Sequence, residues 1–288
     1  MAVPPPDEER RLRLGMEALA RGELPPHVRE RLAAQWRRGT WTSNLSVREF
    51  AAIRSVGFTP VGQVMGSAVY RVSWQGQYAC QRYSGFRSVE LTPYSTALKH
   101  VRGLALHRMA QEADALEAHG VVGARVEFRR LAEASGAIEY TAMGTAIRRT
   151  GARRLGQPFV SGVDGQDFAK LLRSGLVPCG LAMGVCTVHV HLGLSMRGMQ
   201  WQTAEVPNLP DATAHARTRA CAEVVQQVGR MRGDGAVGSA AWLQVWRTPC
   251  RTSEESDYIL QFTVEGTAVA RFDRPGLPPP RPVIHLQP

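Results

Sequence analysis

"FTPVGQVMG" at residues 58–66 and "LVPCGLAMG" at residues 176–184 place Pro, Gly, Met and Gly at identical intervals. Pro60, Gly62, Met65 and Gly66 correspond to Pro178, Gly180, Met183 and Gly184, at a constant separation (178 − 60 = 118). The correspondence extends upstream, where Phe50, Ala51, Ile53 and Gly57 match Phe168, Ala169, Leu171 and Gly175. A chain that writes the same punctuation twice is read as two copies of one folding unit.

The segments downstream of each motif agree with that reading. Leu98, Val101, Ala105, Met109, Ala113 and Leu116 form an apolar stripe at helical spacing, and Thr213, Ala216, Ala220, Val224, Val228 and Met231 repeat it in phase. Gly120 and Gly235 come next and are expected to cap the two helices. "ARVEFR" (124–129) then alternates with period two. "AIEYTAMGTAIRR" (137–149) sets Ile138, Tyr140, Ala142 and Ala146 on one face, and its echo sets Leu260, Phe262, Val264 and Ala268 there. The expected class is therefore α+β: two tandem copies of a two-layer antiparallel sheet plus helix, preceded by short N-terminal helices. The boundaries read as 1–44 for the helical segment, 45–152 and 153–274 for the copies, and 275–288 for a Pro-rich tail.

In the N-terminal segment, Asp7, Glu8 and Glu9 suit a helix start, Pro25 and Pro26 interrupt, and Val28, Leu32 and Trp36 share one face of a second helix. These faces are narrow and should pack on the body or on a neighbouring subunit. The tail, "RPGLPPPRPVIHLQP", should be extended, and it and the N-terminal helices are candidate docking elements for a protein partner.

These marks resemble the YbjQ-like heavy-metal-binding domain family. "GQVMG" and "GLAMG", Arg102 and Arg217 within the helices, "HGVVG" and "DGAVG", and the closing "GTAI" and "GTAV" carry the resemblance over residues 45–150 and 159–273. The resemblance implies a dodecin-like β-α-β-β subunit that assembles into pentameric rings, without a defined chemistry.

Composition narrows the classes of function. The 288 residues carry a formal charge of +10, and 33 of the 35 basic residues are arginine (35 − 2, for Lys99 and Lys170). They are dispersed, so a basic nucleic-acid-binding assembly stands as a second alternative. Five cysteines without CxxC make neither a disulfide framework nor a zinc knuckle, and neither a secretory signal nor a transmembrane run is seen, so the expected location is cytoplasmic. GxSxG, Walker, HExxH and GxGxxG patterns are absent, Cys80 has no adjacent base, and Glu139 and Glu265 do not duplicate, so no catalytic residue is assigned.

Two sets of polar residues stand out. His189 and His191, two apart on a strand, share a face and are the candidate ligands for a divalent transition metal, with Cys186 pointing to the opposite face. No other cofactor is indicated. His100, Arg102 and Gln111 recur as His215, Arg217 and Gln226 beside the helical stripes and are candidate ligand or interface residues. The leading reading is a non-catalytic ring- or shell-forming scaffold that associates with itself and binds a small ligand or ion. The alternative is a heavy-metal-binding or metal-sensing module.

Overall fold

The computed structural model describes residues 6–39, 41–72, 88–131, 137–153, 156–191, 208–249 and 256–272. Cys80 and the tail lie outside the described residues. Among the described residues, six helices and eight strands run in the order α1 (Pro6–Ala20), α2 (Pro26–Arg38), α3 (Val47–Ser55), β1 (Phe58–Arg71), β2 (Val89–Glu90), α4 (Thr92–Ala115), β3 (Gly120–Leu131), β4 (Ala137–Arg149), β5 (Phe159–Val160), α5 (Gly165–Arg173), β6 (Leu176–Val190), α6 (Leu209–Arg230), β7 (Gly235–Pro249) and β8 (Ser256–Arg271).

Two four-stranded sheets result, ordered β1-β4-β3-β5 and β2-β6-β8-β7. Their central antiparallel registers coincide. β1 and β6 each carry an irregularity, between Pro60 and Gly62 and between Pro178 and Gly180, where a proline that cannot donate to the ladder is accommodated. The repeated Pro-x-Gly therefore marks a bulge.

The repeated second glycine has a different cause. A Cβ on Gly66 would lie 2.1 Å from the carbonyl oxygen of Ala105, and one on Gly184 would lie 1.8 Å from that of Ala220. The long helix of each unit thus touches the strand beneath it backbone to backbone, which only glycine permits. Around these contacts α4 buries Leu98, Val101, Ala105 and Met109 on the first sheet, while α6 buries Ala216, Ala220, Val224 and Val228 on the second.

The first core does not stop at its own unit. Leu181, Met183, Val185 and Ile259 of the second sheet close over it from the far side of α4. The layers are therefore first sheet, α4, second sheet, α6. The N-terminal helices pack on the body: Leu32 is buried in the same core, Arg31 pairs with Glu112 at 2.5 Å, and Gln35 donates to the Val61 carbonyl at 3.3 Å.

One expectation is corrected. Gly120 and Gly235 do not cap the helices; they open β3 and β7. The chain reverses earlier, at Glu117 (φ 52°) and Arg232 (φ 57°), in the left-handed region that disfavours side chains with a Cβ. Glu117→Gly should therefore raise unfolding stability by up to about 1 kcal/mol in urea titration, since its exposed 3.5 Å pair with Arg148 contributes little.

Side chains of the two long helices also reach main-chain groups of β1 and β6. Glu112 accepts from Met65 N–H at 2.9 Å and Arg108 donates to the Ser67 carbonyl at 2.5 Å. On β6, Gln227 bonds both main-chain groups of Met183, Glu223 accepts from Val185 N–H, and Ser95 accepts from Thr187 N–H. Helix side chains thus satisfy part of the main chain along the outer sides of β1 and β6, which leaves those stretches less able to pair edge to edge.

Candidate functional site

The distinctive chemistry lies along the seam between the two units. Arg102 of α4 is buried and pairs with Glu265 of β8. Beside them is a cavity of about 180 Å³ lined in part by Tyr140, Met183, Trp242, Gln261 and Thr263. Across the same seam Arg130 of β3 stacks over Trp246 of β7, 3.4 Å from the ring centroid, and Lys99 of α4 pairs with Glu223 of α6. Two arginines and a lysine thus hold the halves together, each on a partner suited to it.

The six recurring residues do not converge on one site. Arg102 is at the seam, whereas Arg217 and Gln226 are exposed on α6. Gln111 donates to the Gly22 carbonyl in the α1–α2 turn at 2.5 Å, and His100 meets Tyr70 edge to face at 5.7 Å. His215 reaches a different partner, with Nε2 3.1 Å from Glu90 Oε2.

That contact belongs to a cluster. β2 lies antiparallel on the edge of β6, so Glu90 sits opposite Val188 and beside Cys186. Ligand atoms of Glu90, Cys186 and His215 all lie within 4.8 Å of one another. Cys186 is buried under α6, and burial, then the Glu90 carboxylate, push its thiol up to about 12. Arg219 approaches Glu90 at 3.4 Å from the exposed side.

His189 and His191 do share a face, opposite to Cys186, as the strand period requires. Asp257 at the start of β8 stands between them, its Oδ2 3.1 Å from His189 Nε2 and its Oδ1 2.9 Å from His191 Nδ1. Sequence reasoning missed Glu90 and Asp257. Asp257 was accessible in principle, because the β6–β8 register that pairs Val190 with Tyr258 puts the next residue, His191, opposite it. Glu90 was not, because a two-residue strand carries no periodicity.

Burial pulls His189 below its ordinary 6.5, against the opposing pull of Asp257. A base whose folded pKa is depressed holds its proton less readily in the folded chain than in the unfolded one. Its contribution is present above about pH 6.5 and is lost as pH falls from there toward the folded value. Stability should decline between pH 7 and pH 5 with a slope of at most about 1.4 kcal/mol per pH unit from this group. His189→Gln should flatten that slope in melts recorded across the range.

The fold and seam define an α+β protein of two sheet-plus-helix units, without any described helix long and apolar enough to cross a membrane. The profile of the YbjQ family, described as "Putative heavy-metal-binding", matches residues 57–150. The chain is also similar to the "Encapsulin nanocompartment protein Rv1762c" of Mycobacterium tuberculosis (strain ATCC 25618 / H37Rv), at 35% identity over 256 residues covering 86% of this chain and 92% of that protein. The chain belongs to the family of that nanocompartment protein, and its first unit carries the YbjQ-type match.

Proposed function

We propose that this chain is a non-catalytic assembly protein whose copies pack head to tail into a closed ring, and that the ring is its form within a protein nanocompartment. The similarity to a protein named for an encapsulin nanocompartment supports the setting. The arrangement of the two units supports the mechanism, because the contact between them is heterologous: the helix side of one unit lies on the helix-free face of the next.

One observation carries the reading. Met65 and Met183 hold the same place in the two motifs, yet Met183 is 3% exposed and Met65 is 47% exposed. Val69 and Thr187 differ in the same way, at 58% and 0%. The first sheet therefore leaves open the face that the second sheet buries against α4. At the other end the situation is mirrored: Arg217, Cys221 and Val225 of α6 and Leu243 and Val245 of β7 are exposed where the first unit uses Arg102, Leu106, Phe128 and Arg130 to grip the second. Each chain thus presents one free surface of each kind. Heterologous surfaces repeat until the rotation closes, giving a ring, or run on as a filament.

Sedimentation velocity of the full chain at micromolar concentration tests this. A single species of several chains is expected, with Cys221 shielded from a maleimide that modifies it in dissociated chains. A compact single chain with Cys221 fully reactive would sink the proposal.

A further inference from the structure

We infer that Glu90, Cys186 and His215 form a binding site for a thiophilic divalent cation of the zinc class, set across the seam between the two units. Thiolate, imidazole and carboxylate are the donors such ions take. Here the three come from three elements, β2, β6 and α6, so their meeting is a product of the fold and not of sequence proximity. Bond lengths of about 2.0–2.3 Å put neighbouring ligand atoms of a tetrahedral site roughly 3.3–3.8 Å apart. The Glu90–His215 pair already stands at 3.1 Å, and all three atoms lie within 4.8 Å of one another. The partly exposed side chains of Glu90 and His215 are the ones free to move toward an ion. Cys186 is held in place by the core.

The thiol suits a cation-dependent role. It lies buried beside Glu90, within reach of an ion held by the other two donors. An arriving ion would form the metal–sulfur bond as the S–H proton leaves to solvent, so one proton is released by Cys186 for each ion bound. The half-exposed His215 ring leaves the outer side open for water as a fourth ligand. Arg219 reaches Glu90 from the solvent side and, being exposed itself, can swing outward as the ion takes its place. Lys99 and Glu223 nearby pair with each other.

The first unit shows why no second copy of the site occurs among the described residues. Ala68 stands where Cys186 does, and His100, the counterpart of His215, packs against Tyr70. Because Glu90 precedes α4 while the thiol and imidazole belong to the second unit, the bound ion would tie the two units together.

Cobalt(II) titration of the full-length chain, followed by near-ultraviolet absorption, tests the inference. One equivalent should bind with a thiolate-to-cobalt charge-transfer band. Cys186→Ala should abolish the band, and the first unit's Ala68 indicates that this residue fits the position. His215→Ala, at an exposed side chain, should weaken binding at least tenfold while circular dichroism is unchanged. Cys221→Ser and the double variant His189→Ala/His191→Ala should keep the band and the stoichiometry. A wild-type titration without the band overturns the inference, as does a Cys186→Ala or His215→Ala protein that binds like wild type. Binding is counted per chain, so the result is independent of whether the chain forms rings.

Discussion

Arg217→Glu should turn the proposed head-to-tail ring into single chains at concentrations where the unaltered chain sediments as an oligomer. The basis is the contact already present inside the molecule. Arg102 crosses the seam to Glu265, and Arg217 occupies the corresponding turn of α6 with its side chain exposed. On the open face of the first sheet, Met143 takes the place of Glu265, and Glu127 takes that of Trp242, which lines the cavity beside Arg102. An incoming Arg217 would therefore meet Glu127. Reversing its charge sets two carboxylates against each other in a partly desolvated contact, a penalty of several kcal/mol repeated at every junction. Since both residues are exposed in the single chain, its own stability should change by less than about 0.5 kcal/mol.

A charge swap makes the expectation sharper. Glu127→Arg alone should also dissociate the particle, and Arg217→Glu combined with Glu127→Arg should restore it, which generic destabilisation cannot do. Met65→Arg, on the same open face, should dissociate it without rescue. Sedimentation velocity reads all four. If Arg217→Glu and Met65→Arg both sediment as wild type, the head-to-tail contact is wrong.

The features legible in the sequence were those set by local geometry. Helical stripes and strand alternation predicted α4, α6, β3, β4 and β8, because each buries one face and the period reports it. The sequence also held the Pro-Gly-Met-Gly intervals, but not their meaning. Pro60 and Gly62 form a bulge, and Gly66 allows a helix to touch the strand. The reversal at Glu117 and Arg232 escaped because neither residue type signals a left-handed turn, whereas the glycines three residues later do. The unequal fate of Met65 and Met183 was invisible too, since identical residues in identical local settings differ only in what the other unit places over them. His189 and His191 were legible as a pair, but joining them to Asp257, and Cys186 to Glu90 and His215, depends on strand register and on a two-residue strand.

The second large effect concerns the glycine contacts. Gly184→Ala should destabilise the chain by about 3 kcal/mol or more, at the upper end of overpacking costs. The added methyl would sit 1.8 Å from the Ala220 carbonyl oxygen and 2.6 Å from its carbon, so α6 itself must move. Because Ala220 lies midway along a helix anchored by Ala216 and Val224, lifting it opens the core on both sides. Gly66→Ala faces the same obstacle in the first unit, 2.1 Å from the Ala105 oxygen and 2.5 Å from Met109 N. Gly62→Ala should cost less, because its nearest obstacle is the end of the Gln35 side chain, which can rotate away. Gly103→Ala, inside α4 with nothing within 4 Å, should instead stabilise by about 1 kcal/mol through helix propensity. Urea unfolding of the four variants should therefore rank them, with Gly184 and Gly66 most damaging, Gly62 intermediate and Gly103 of opposite sign. Equal, small effects at Gly184 and Gly103 would mean that the helix does not rest on the strand backbone.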